Sequence, residues 1–177
     1  MEGDMGVYIV PNMRLIPQDM NMACWWASAL MLATWGMQRR DPFEVDHPLY
    51  HRDLSSMHTA NHGIPWAQML SFARELGLTS IPPLQHAPTP EELVDLLVRY
   101  GPLWCDGRQL SPSGSLMGNG HAVVIAGVIT GPKAAVLIYD PWPPRKGAIY
   151  WRPATLLSSM FVVGNPLRTV SILHFPH

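Results

Sequence analysis

The sequence predicts an α+β domain, helices packed on an antiparallel sheet. Three helical segments lie between Cys24 and Tyr100. After Gly101-Pro102 the pattern changes to short β-branched runs divided by turns, a strand meander. Proline is abundant, 18 in 177 residues, which favours short elements joined by fixed loops. The chain reads as a single domain, 1–177, large enough for a real core, either whole or cut from a longer protein.

Val7-Tyr8-Ile9-Val10 reads as a short strand stopped by Pro11. A first helix runs from about Cys24 to Trp35. From Trp25 to Ala33 it is apolar all round except for Ser28, as a core helix is, and Gly36 is its expected stop. Residues 39–65 hold four histidines and little periodicity, and are expected to form a solvated loop on the rim of a site. His47 with His51 and His58 with His62 have the spacing of metal-binding pairs. Pro48 breaks the first pair, and no cysteine or patterned carboxylate completes either, so no metal is expected.

Trp66 to Leu76 is an amphipathic helix with Trp66, Met69, Leu70, Ala73 and Leu76 on one face, closed by Gly77. Leu78–Leu84 is extended. Thr89-Pro90-Glu91-Glu92 starts a helix to Tyr100, with a capping hydroxyl, proline at the first position and acids in the first turn. Leu103-Trp104-Cys105 is a short strand, and Ser111 to Gly120 a Gly/Ser-rich loop. His121–Ile129 reads as a strand buried on both faces. Gly131-Pro132 turns the chain into a strand over Ala135–Asp140, halted by Pro141. A strand at Gly147–Trp151, a short helix at Pro153–Ser159 and a strand at Thr169–Phe175 complete the order.

A net charge of −1 with few charged residues (14%) excludes an electrostatically driven nucleic-acid binder and a disordered chain. No apolar run reaches a membrane span, and the N-terminus lacks the basic and apolar regions of a signal peptide. Two cysteines allow at most one bridge, so no disulfide framework is expected.

Three polar residues stand at the ends of apolar elements. Cys24 opens the first helix, where backbone N–H groups without partners and the positive end of the helix dipole favour a thiolate. The ordinary alternative is a buried cysteine acting as a small apolar residue, which is the expectation for Cys105. His121 opens one long strand and Asp140 closes the next. A hairpin centred on Gly131-Pro132 sets the two at the same level, on strands about 4.8 Å apart. A general base and the carboxylate that orients it need that placement.

Gln18 ahead of Cys24-Trp25-x-Ala27-Ser28 resembles the active-site start of papain-like cysteine peptidases. His121-Ala122-Val123 with its apolar strand resembles the family's histidine strand. Asp140-Pro141-Trp142 is similar to its third member followed by tryptophan. The resemblance implies a papain-like fold, with a helix carrying Cys against a sheet carrying His and Asp. It implies Cys24 as nucleophile, His121 as base and Asp140 as orienter. Gln18 would be the side-chain oxyanion donor, a contribution typically worth about 2.7–4 kcal/mol. Trp25 would support the site and Trp142 would shield the His–Asp pair from water.

Plant and lysosomal members carry Asn where this chain has Asp140, and their Cys-to-His spacing is longer, roughly 130 residues. Compact bacterial members are closer: secreted effector or toxin peptidases, and the peptidase domains of bacteriocin exporters with their Gly–Gly preference. Val10-Pro11, Ile16-Pro17-Gln18, Tyr100-Gly101-Pro102-Leu103-Trp104 and Asp140-Pro141-Trp142-Pro143 resemble the effector group most.

The resemblance implies a thiol endopeptidase for a specific protein substrate, working through an acyl-enzyme without cofactor, metal or nucleotide. The implied setting is a monomer injected by a bacterial secretion system without a cleavable signal peptide. It would act in the target-cell cytoplasm and meet a cognate immunity or inhibitor protein. Two rivals stand beside this reading: a deamidase, transglutaminase or cell-wall amidase using the same three residues, and a non-catalytic binding module on the same fold. Trp26 and Trp66 are candidates to line a substrate groove.

Overall fold

A computed structural model describes residues 5–40, 58, 60–82, 84–110, 116–160 and 172–176. Its strands are β1 (Val7–Ile9), β2 (Thr79–Ser80), β3 (Leu103–Leu110), β4 (Leu116–Ile129), β5 (Ala135–Asp140), β6 (Ala148–Pro153) and β7 (Ile172–His174). Its helices are α1 (Cys24–Arg40), α2 (Trp66–Glu75), α3 (Pro90–Tyr100) and the short α4 (Leu157–Met160), which follows a 3-10 turn at Ala154–Leu156. The strands make one antiparallel sheet in the order β2-β7-β3-β4-β5-β6. β3 pairs with the first part of β4, and β1 pairs with its last three residues. The expected α+β architecture is therefore the observed one.

α1 packs on β3 and β4, and its apolar circumference is what that burial requires. Trp25, Ala29, Met31, Leu32, Ala33 and Trp35 are each at most 2% exposed. Ser28, a hydroxyl inside this run, donates to the Ala122 carbonyl of β4 at 3.0 Å and so is satisfied in the core. α3 begins as its sequence requires: the Thr89 hydroxyl accepts from the Glu92 N–H, and the Glu92 carboxylate accepts from the Thr89 N–H.

Five expectations need correction. Gly36 does not stop α1, which continues to Arg40. A Cβ there would collide with the Phe175 ring, so the glycine makes room for close packing. Gly101, by contrast, does close its helix: its φ of +73° is a backbone few other residues adopt, and an added Cβ would strike Trp35. Leu70 of α2 is 42% exposed, and Phe72 takes its place in the core with Met69, Ala73 and Leu76.

β3 and β4 are longer than expected. Leu116–Gly120 is strand because the end of β3 pairs with it, Gln109 against Met117 and Leu110 against Leu116. The β4–β5 register also differs from a symmetric hairpin. Val124 faces Tyr139 and Ile125 faces Ile138, then an irregularity around Ala126 shifts the pairing so that Gly127 faces Leu137. His121 is therefore a diagonal neighbour of Asp140 and not its direct partner. The helix over Pro153–Ser159 is split between the 3-10 turn and α4, and the last strand is confirmed over Ile172–His174. His47, His51 and most of the 39–65 segment lie outside the described residues.

Candidate active site

α1 starts at Cys24 directly after a tight approach that Gln18 organises. Its side-chain Nε2 donates to the Met20 carbonyl at 2.7 Å and the Asn21 carbonyl at 2.9 Å. Its backbone is held by the strand end that follows Asp140: the Gln18 N–H donates to the Pro141 carbonyl, and the Gln18 carbonyl accepts from the Arg145 N–H. Gln18 is 1% exposed, and its Oε1 has no partner. In this structure the expected oxyanion donor spends its amide hydrogens on the loop that leads into Cys24.

Cys24 is half-buried and lines a cleft of about 500 Å³. His121 and Trp142 line the same cleft, together with Asn21, Met22 and Trp25 around Cys24 and with Gly63 and Ile64 from the segment ahead of α2. That segment is tied to the residues around Cys24. The Met22 N–H donates to Asn61 Oδ1 at 2.9 Å, Trp25 Nε1 donates to the His62 carbonyl at 3.1 Å, and His58 Nε2 meets Asp19 Oδ1 at 3.0 Å. The His58 ring also stacks on Trp26. The described end of the histidine-rich segment thus rims the cleft, as expected of it. Among the described residues no cluster of three or more His, Cys, Asp or Glu could hold a metal ion.

His121 and Asp140 are each 8% exposed, and Nε2 of the histidine lies 2.8 Å from Oδ1 of the aspartate. The diagonal offset between their strands is within the reach of side chains of this length. The same Oδ1 accepts from the Trp142 backbone N–H at 2.8 Å, and Oδ2 accepts from the Tyr150 hydroxyl at 2.7 Å. Burial alone would push the His121 imidazolium toward neutrality. Hydrogen bonds with Asp140 and Cys24, together with their charges, outweigh it and hold the imidazolium well above its ordinary range. Asp140 shows the mirror effect: burial favours its acid form, but the bonds from His121, Tyr150 and Trp142 prevail and lower it.

With Nε2 committed to Asp140, Nδ1 is the ring nitrogen left to face Cys24. The arrangement can take a proton from a thiol, hold it on a ring fixed by a carboxylate, and return it to a leaving group. Trp142 contributes through its backbone N–H, and its own side chain is 39% exposed at the cleft. Trp25 is buried beneath the cleft, edge-on to Phe72. Trp26 is buried at 7%, and the Trp66 side chain lies outside the described residues. Cys105 sits on β3 at 1% exposure; burial raises its thiol far out of the reactive range, and Asp106 adds to this. Sequence reasoning missed Tyr150. It has no local signal, since its place two residues along β6 from Ala148, the partner of Asp140, is set by the strand pairing.

A helix with a cysteine at its front, packed on an antiparallel sheet that presents a buried His–Asp pair to the same cleft, defines a papain-like cysteine protease. The chain belongs to the family described as papain-like cysteine protease AvrRpt2, whose family model matches residues 7–151. The match covers every element from β1 into β6 and is specific to that family, not to the bacteriocin-exporter peptidases. Comparison with curated proteins finds no match. No helix among the described residues is long and apolar enough to cross a membrane.

Proposed function

We propose that this protease is an endopeptidase that cleaves a specific protein target through Cys24, His121 and Asp140. Cys24 gives its proton to His121, and the resulting thiolate attacks the scissile carbonyl. The imidazolium then protonates the leaving amine, and water, deprotonated by the same ring, releases the acyl group from sulfur. Asp140 holds the ring in the tautomer that keeps Nδ1 toward the thiol. The observation that carries this reading is the 2.8 Å His121–Asp140 bond, buried at the cleft that Cys24 also lines.

The oxyanion is assigned to the Cys24 backbone N–H and the Gln18 side chain. For Gln18 this means exchanging one of its loop carbonyls for the substrate oxygen, since its amide now serves Met20 and Asn21. Family membership supports an effector-type setting, with delivery into a target cell and a cognate inhibitor as parts of the same proposal.

Wild-type and Cys24→Ala protein, each incubated with bacterial or host lysate, test the reading when new protein N-termini are mapped. Termini made only by the wild type support it. Mass shifts of deamidation or crosslinking without new termini would assign the same residues to a different transfer reaction.

A further inference from the structure

We propose that Tyr150 is a positioning residue of the proteolytic site, fixing the Asp140 carboxylate in the rotation that serves His121. This rests on the catalytic roles given above to Cys24, His121 and Asp140. The terminal torsion of an aspartate is soft, so a carboxylate at a strand end needs partners on both oxygens to hold one orientation. Oδ1 already serves His121 and the Trp142 N–H. Among the described residues the donor to Oδ2 is the Tyr150 hydroxyl, at 2.7 Å.

The sheet builds this contact symmetrically. β5 lies between β4 and β6, and Asp140 pairs with Ala148 on β6. Tyr150 is two residues further along β6 and therefore on the same face as Ala148. It reaches Asp140 diagonally from one side as His121 does from the other. Removing the hydroxyl would leave a buried carboxylate oxygen without a donor, which is costly.

The residue type also fits. Burial and the neighbouring Asp140 charge push the Tyr150 hydroxyl above its ordinary range, so it stays protonated and remains a donor throughout the physiological range. A neutral donor fixes the carboxylate without cancelling the charge that stabilises imidazolium, as a lysine in its place would. The Arg152 guanidinium lies over the Tyr150 ring, 4.9 Å from its centre, and its charge and hydrogen bond offset part of the hydroxyl's rise.

The test uses the whole chain and iodoacetamide, with alkylation of Cys24 followed against pH by peptide mapping. Wild-type Cys24 is expected to be alkylated at pH 6 about tenfold faster than Cys24 of the His121→Ala variant. Equal rates would mean that the Cys24–His121 pairing itself fails, before Tyr150 is in question. Given a reactive wild type, Tyr150→Phe should lower the Cys24 rate at pH 6 about tenfold and move the acid limb up by about one pH unit. In an Asp140→Asn background the same change should alter the rate less than about twofold.

An unmoved limb in folded Tyr150→Phe, or an equal tenfold loss in both backgrounds, would overturn the proposal. Should Tyr150→Phe not fold, site-specific 2,3-difluorotyrosine at position 150 replaces it. Being a stronger donor of the same shape, it draws charge from the carboxylate that supports imidazolium and must move the limb to higher pH, and an unmoved limb counts against the proposal.

Discussion

The two cysteines carry one functional group into opposite surroundings. Cys24 stands where a helix begins, half-buried at a cleft, beside an imidazole that a carboxylate holds protonated. Cys105 lies in the middle of the sheet, 1% exposed, next to the acidic Asp106. Reactivity here is set by position in the fold, not by the thiol.

The sharpest way to break this contrast is to remove each sulfur. Cys24→Ala should abolish cleavage, a loss on the order of a thousandfold or more, with the circular dichroism spectrum unchanged. Cys105→Ala should leave cleavage intact. Retained activity in the first variant, or loss in a folded second one, would reverse the assignment.

Gln18→Ala comes next. Loss of an oxyanion donor costs about a hundredfold or more in kcat, and here the Met20–Asn21 carbonyls also lose their partner. A folded variant with near-normal kcat would assign the oxyanion to backbone N–H groups alone.

A third measurement concerns pH. The folded-state value of His121 is raised, so its contribution to stability is whole below the ordinary imidazole range, about 6.5, and fades as pH rises toward the raised value. Asp140 is lowered, so its contribution is whole above the ordinary carboxylate range, about 3.9, and fades as pH falls. The difference in melting temperature between wild type and His121→Ala should be widest at mildly acidic pH and shrink above neutrality. A difference independent of pH would mean that the pair is not ionic. The smallest effect is the stability cost of Cys105→Ala, about 1 kcal/mol by denaturant unfolding.

Much of this contrast was legible in the sequence because its signals are local. A thiol opening an apolar helix, a histidine opening an apolar strand and an aspartate closing one can each be read within a dozen residues. Thr89-Pro90-Glu91-Glu92 likewise states its helix start in four. What was not legible depends on partners distant in the chain. Gly36 looked like a stop because Phe175, which needs the space, lies at the other end of the sequence. Leu116–Gly120 looked like loop until β3 paired with it. The symmetric hairpin brought His121 and Asp140 together through a register that the irregularity at Ala126 shifts, and side-chain length makes up the difference. Tyr150 had no signal of its own, since only the β5–β6 pairing brings it to Asp140.

Ser28 gives the helix–sheet packing a further meaning. It lies one helical turn past Cys24, and the carbonyl it donates to belongs to Ala122, the residue after His121. With the Trp104 Nε1–H bonded to the Trp25 carbonyl at 3.1 Å, it ties the helix to the sheet, so any slide of one along the other must break both bonds. Trimming Ser28 to alanine should loosen the alignment of the reacting groups while the interior stays dry and packed.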